Sequence, residues 1–495
     1  MKTSIQKFGF STLELLIAFA VATIFFTGTL LVAFGGQSAG LDTTLSNRGI
    51  YTVMNQIHDA VASTTQNWGA SVAPAPWANA FYTQTNSVTD ISQCLKFVTA
   101  TTSWSSEKSR PRYVFEGTFL ASTSASLVLG RNCDPFPPND PWDSPKKLPN
   151  GISIASINPT DVSVVNINGK RIAMLSSVAS AVAKEDIDEI DITDPQNPVL
   201  LGQLNTGKGI NAVAVAGMYA FALQNDSTNQ LQVIRLFDTT KSTSDPLHYL
   251  PALITQVPLQ NVAGSFPEGR SIAYYNNKLY IGTWNNNIPA TSPEFLIYDV
   301  TTPTTPTFLG SNNVGHSINS IAIKDSNAYL ATTNNTGELM VMNITNSGSP
   351  SVLGQYDFPS NTNDAEEVYV LGQYAYLGLD RATGSNKDFL VINISNPASP
   401  SLTGSLKLNM NTSGAMVSGI SVVNGKAFVG TTDTNAEFRV LDVSNPADPK
   451  ANVCGPYNYS AKISALEYSN GYIVTANQAN VALTIVYDTP GTICN

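Results

Sequence analysis

The chain begins with a long uncharged stretch. Between Phe10 and Gly36 the sole charged residue is Glu14, and the run is long enough to cross a bilayer as a helix. Beyond it, Leu41, Leu45, Ile50, Met54, Ile57 and Val61 recur at steps of 4, 5, 4, 3 and 4. That spacing is close to the helical period and leaves a polar opposite face. The pattern predicts one helix over 10–66, with 10–36 of membrane-spanning length and the rest packed on a small head. Trp68-Gly69 ends it. The short runs QCLKFVTA (93–100), PRYVFEGTFL (111–120) and SASLVLG (124–130) then read as strands of a head domain over 67–132. Six prolines between Cys133 and Gly151 exclude helix and sheet interior, so 133–150 is expected to be a semi-rigid linker.

Past the prolines one pattern returns five times: DITDPQNPVLLG at 191, DVTTPTTPTFLG at 299, NITNSGSPSVLG at 343, NISNPASPSLTG at 393 and DVSNPADPKANV at 442. Each copy has a proline seven residues after its first residue, and four have glycine at the twelfth position. Runs such as SIAYYNNKLYIGT (271–283) and GISVVNGKAFVGTT (419–432) precede the copies and alternate like paired strands. The later copies are 44, 50 and 49 residues apart, a propeller-blade spacing. The prolines suit the turn into an outer strand, where a missing N–H is tolerated. These repeats resemble LVIVD-type repeats of β-propeller proteins over about Asp161 to Asp488. The resemblance implies an all-β propeller over 151–495, counted as seven blades, with 191–299 leaving room for one degenerate blade. The last blade, ISALEYSNGYIVTANQANVALTIVYD, lacks an outer strand, which GISIASIN (151–158) is expected to supply.

The N-terminus carries a second resemblance. Lys2 and Lys7 precede Gly9, Phe10 follows, and Glu14 lies one turn further on. MKTSIQKFGFSTLELLIAF thus resembles the class III signal of type IV prepilins and pseudopilins. The resemblance implies a leader over 1–9, cleavage by a prepilin peptidase between Gly9 and Phe10, N-methylation of Phe10, and an α+β pilin-like domain made of a long helix and a small antiparallel sheet. It also implies residence in the inner membrane before assembly and then a place in a cell-surface filament with copies of itself or other pilins. A lone carboxylate in hydrocarbon is unfavourable, whereas a buried pair is tolerated. Glu14 of one subunit is therefore expected to meet the Phe10 amine of its neighbour. The chain lacks the proline that many pilins carry midway along this helix; Gly28, Gly35 and Gly36 are its weak points instead.

Composition adds limits. Only 13% of residues are charged and the net charge is −10, so no basic surface suggests a nucleic-acid partner. Cys94, Cys133, Cys454 and Cys494 contain no CxxC pair and read as disulfides. Three pairings are possible; Cys94–Cys133 and Cys454–Cys494 keep each bond within one expected domain, and four buried free thiols are the other reading. His58, His248 and His316 lie in unrelated segments, and HExxH, GxSxG and P-loop motifs are absent. No catalytic residue, metal site or cofactor is expected. The acids of KEDIDEIDITD (184–194) read as a solvated strand face, and Asp364, Glu366 and Glu367 likewise. In TWNNNIPATSPE (283–294), Trp284 offers a stacking surface and Asn285, Asn286 and Asn287 offer hydrogen bonds, as a glycan site would need; a packed aromatic beside a polar turn is the plainer reading. The expectation is a pilus-like subunit displaying an extracellular propeller for adhesion or recognition of a glycan or protein. Its rivals are a pseudopilin engaging secreted cargo and a membrane-anchored propeller enzyme.

Overall fold

The structure is a computed structural model. It describes 41–66, 68, 82–105, 111–122, 125, 129 and 142–488, apart from short breaks at 155–156, 168, 180–184, 243–244, 264–266, 285–291, 359–362, 381–385 and 452–454. Gly9, Phe10, Glu14 and the 10–36 run therefore lie outside the described residues, and so do Cys133, Cys454, Cys494 and Asn285–Asn287. Among the described residues no helix is long and apolar enough to cross a membrane. The chain divides into two compact units: Met1–His58, Ala75–Asn86 and Ala100–Glu116 form one, and Asp59–Pro74, Ser87–Thr99 and Gly117–Asn495 the other.

Helix α1 covers Leu41–Gln66. Its buried stripe is not the one the large apolar residues suggest. Gly49, Val53, Gln56, Ala60 and Thr64 are buried, while Met54 is exposed and Ile50, Ile57 and Val61 flank the stripe. Small residues set this face because they allow close approach. In the first unit, a Cβ on Gly49 would lie 2.7 Å from Trp104, and Gln56 accepts a hydrogen bond from Thr102 at 2.9 Å. Strands β1 (Thr83–Ser92), β2 (Leu95–Ser105) and β3 (Pro111–Ala121) form a three-stranded sheet in that order. β1 escaped the sequence pattern because its Thr, Ser and Asn positions do not alternate with large apolar ones. Of the segment expected as a strand over 124–130, only Ala125 and Leu129 are among the described residues, and both are helical. Ser122 is the reason, since its hydroxyl accepts the Ala125 N–H at 3.0 Å in the manner of an N-cap. Cys94 is disulfide-bonded.

Seven antiparallel sheets of four-stranded type make up the rest of the second unit. Their inner strands are Ile157–Ile167, Ile210–Ala216, Gly269–Tyr275, Ile318–Lys324, Ala365–Leu371, Val417–Val423 and Ile463–Ser469. Each touches the next, and the seventh touches the first, so the blades close a ring. The five sequence repeats are the end of a third strand, a turn and an outer strand. The first residue of the motif closes the turn: Asp299, Asn343, Asn393 and Asp442 each accept the N–H two residues on, at 2.7 to 3.0 Å. The motif glycine is fixed by the next blade. A Cβ on Gly310, Gly354 or Gly404 would lie 2.5, 2.6 and 2.3 Å from a carbonyl oxygen of the following turn.

Ring closure uses more of the N-terminal side than expected. β4 (Pro145–Lys147) pairs with Val486–Asp488, and β5 (Ile152–Ser153) pairs with Val481 and Leu483. Trp142 is fully buried against Phe428, with ring centroids 4.6 Å apart. The segment 142–150, read from its prolines as linker, is thus part of the seventh blade; its prolines lie where an edge strand tolerates them.

The acids of 184–194 are not a solvated face. Asp186, Asp188 and Glu189 are all buried. Asp186 belongs to a repeated clasp: it accepts the Thr206 and Gly209 N–H groups, as Glu294 accepts Val314 and Gly315, Glu338 accepts Phe358, and Glu437 accepts Tyr459. Each carboxylate pins the loop that leads from its blade's outer strand to the next inner strand.

Candidate functional site

The inner strands surround a channel with a cavity of about 450 Å³. One of its ends is occupied. In the second unit the turn between β1 and β2, Ile91–Leu95, lines the channel beside the inner-strand ends. The Asn424 N–H donates to Ile91 O at 2.9 Å, and a Cβ on Gly372 would lie 2.7 Å from Asp90. Lys96 forms an ion pair with Asp90 and lies over the Trp68 ring at 5.4 Å. The other end, where the inner strands begin, opens into a mouth of about 700 Å³.

That mouth is organised by seven bulges at equivalent places, one per inner strand. The extra residues are Thr160, Asn211, Arg270, Asn319, Glu366, Ser418 and Ser464. A bulge redirects one side chain out of the strand's alternation, here towards the adjoining blade. Thr160 donates to Ile210 O, Asn211 to Gly269 O, Asn319 to Ala365 O, Ser418 to Ile463 O and Ser464 to Pro159 O, at 2.5 to 2.9 Å. The other two bulge residues pair with each other: Arg270 Nη2 lies 3.4 Å from Glu366 Oε2, which also accepts Asn319 Nδ2 at 3.1 Å. In the third blade the clip to the next carbonyl comes from Ser271 instead, at 3.0 Å.

Deeper in the channel, carboxylates bridge blades. Asp161 accepts Val162 and Val213 N–H groups at 2.8 and 2.9 Å, Glu467 accepts Val164 N–H at 2.9 Å, and Glu367 accepts the Ser320 hydroxyl at 2.9 Å. Burial raises two of them: Asp161 to about 6 despite its backbone hydrogen bonds, and Glu367 to about 8. Burial also raises Glu366, to about 7, with Arg270 opposing and Asp364 and Asp380 adding to the rise. Glu366 and Glu367 thus face a desolvated channel rather than open solvent.

Of the residues singled out in the sequence, Trp284 lies at the mouth, with the Arg270 guanidinium 3.5 Å from its ring centroid. One face of the indole is therefore already covered. His248 is remote from the channel lining; it is buried in a short 3₁₀ turn, its Nδ1 3.0 Å from Lys241 O. His316 is near Asp364, and burial lowers its pKa. Among the described residues no group of three or more His, Cys, Asp or Glu is placed to hold a metal ion. The bulge residues were missed from sequence, although a polar residue recurs in the same register in GINAVAV, GRSIAY, INSIAI and KISALEY.

Channel and blades together define a β-propeller, part of which matches the LVIVD repeat. The LVIVD repeat model matches residues 363–407 and 414–453, which hold the fifth and sixth blades. No curated protein matches the sequence. Among solved structures, catalytically inactive virginiamycin B lyase from Staphylococcus aureus with quinupristin aligns at a TM-score of 0.48 and 10% identity, covering 70% of this chain and 99% of that one. YCF48 bound to D1 peptide aligns at 0.46 and 10% identity, covering 72% and 99%.

Proposed function

We propose that the chain is a subunit of a type IV pilus-like filament and that its propeller is the recognition module the filament displays. The observation that carries this reading is positional: Lys2 and Lys7, then Gly9, Phe10 and Glu14, run into an uncharged stretch of bilayer length. The described helix Leu41–Gln66 directly downstream supports it. The open channel mouth, with Trp284 and a belt of polar side chains, supports a binding role for the propeller. Phe10 would carry the amine that pairs with Glu14 of the next subunit, and a prepilin peptidase would release it. The test is mass spectrometry of N-termini in sheared cell-surface material, with electron microscopy of the same fraction. The expected result is filaments whose subunit begins at N-methylated Phe10. A mature chain that begins elsewhere overturns the reading.

A further inference from the structure

We propose that the propeller channel takes a protonated amine or guanidinium group, admitted through the mouth beside Trp284 and held by Asp161, Glu366 and Glu367. This rests on the propeller being a recognition module and is independent of filament assembly.

The first observation is shape. The cavity of about 450 Å³ is lined at one end by the Ile91–Leu95 turn, so a ligand enters from the opposite mouth. The second is hydrogen-bond direction. Thr160, Ser418 and Ser464 each donate their one hydroxyl proton to a carbonyl of the next blade. A hydroxyl has a single donor and two acceptor sites, so these groups offer the channel acceptors alone. The third is charge. Among the described residues four carboxylates line the cavity, Asp161, Glu366, Glu367 and Glu467, against one cation, Arg270. That cation is already paired with Glu366 and stacked on Trp284. The carboxylates and these hydroxyl acceptors in a desolvated cavity match a group that is all donor and positively charged. Ammonium and guanidinium are the side-chain chemistries of that kind. Such groups occur on free polyamines and on lysine or arginine side chains of a partner protein.

Proton linkage gives an independent readout. Burial raises Asp161 to about 6, Glu366 to about 7 and Glu367 to about 8. The charged groups acting on them are Arg270, Asp364 and Asp380, together with one another. The cation binds their ionised forms, so affinity rises with pH from about 6 to about 8 and protons are released on binding.

The experiment is isothermal titration calorimetry on the full chain with n-butylammonium, n-butanol and butyrate, from pH 6 to pH 8.5. The expected result is binding of butylammonium alone, roughly tenfold tighter at pH 8 than at pH 6. Binding of butanol or butyrate as tight as butylammonium, a flat pH profile, or no heat with butylammonium at pH 8 overturns the proposal. Glu367→Gln keeps the Ser320 contact and is expected to weaken butylammonium about fivefold or more; unchanged affinity in the folded variant also overturns it. Cadaverine binding tighter than Nα-acetyl-lysine amide assigns a free polyamine, and the reverse assigns a lysine side chain. Failure here leaves the N-terminus at Phe10 untouched, and a different N-terminus leaves the calorimetry untouched.

Discussion

Opposite the motif glycine, the third strand carries Ile297, Val341 and Val391 in three blades and Glu189 in the first. Glu189 is fully buried, and both carboxyl oxygens are without a hydrogen-bond partner among the described residues. Burial alone pushes it up to about 9. The folded chain therefore keeps this proton across a window, from about 4.5 to about 9, in which the unfolded chain has released it. Stability from this residue is complete below that window and is lost as pH rises through it. Glu189→Val is expected to stabilise the protein by about 1–3 kcal/mol in urea unfolding at pH 8, with a smaller gain at pH 5. An equal gain at both values would show that the carboxyl is ionised in the fold. The sequence hid this residue because IDEID alternates like a half-exposed strand, and a blade interior is buried on both faces. The channel acids were hidden similarly. Glu366 and Glu367 read as surface charge, and nothing local says that six other strands converge on them.

At the scale of elements, much of the fold was legible because it repeats. Proline, glycine and Asx positions recur at fixed offsets, so each copy checked the others, and the motif turns and outer strands lie where the pattern put them. The carboxylate clasp was equally periodic, five residues ahead of the motif at Asp186, Glu294, Glu338, Asp388 and Glu437, but acids near strand ends look like solvated charge. The glycine has a specific reason that tests simply. Gly354→Ala drives a Cβ to 2.6 Å from Pro397 O, and backbone there has little room to yield. The expected loss is about 1–3 kcal/mol, read from the thermal unfolding midpoint. Gly169→Ala, where no neighbour lies within 4 Å but φ is +80°, isolates the conformational part. Equal losses at the two positions would remove the steric explanation. The head was less legible, since β1 lacks apolar alternation and Ser122 caps the helical Ala125 where an apolar run reads as a strand.

For the whole propeller, the important pairing is the one farthest apart in sequence. Ser144 N donates to Asp488 Oδ1 across 344 residues, and β4 lies beside the last strand. Trp142 anchors this closure by packing on Phe428. Trp142→Ala is expected to destabilise the protein by about 3–5 kcal/mol, measured by denaturant unfolding. A loss under about 1 kcal/mol would mean that the ring is sealed without it. Sequence could not show this because proline density in 133–150 masks a three-residue edge strand. The closure also imposes an order on synthesis. The segment around Trp142 is made before any blade, and its partner strand after the other six blades. The ring therefore cannot seal until its seventh blade has been made.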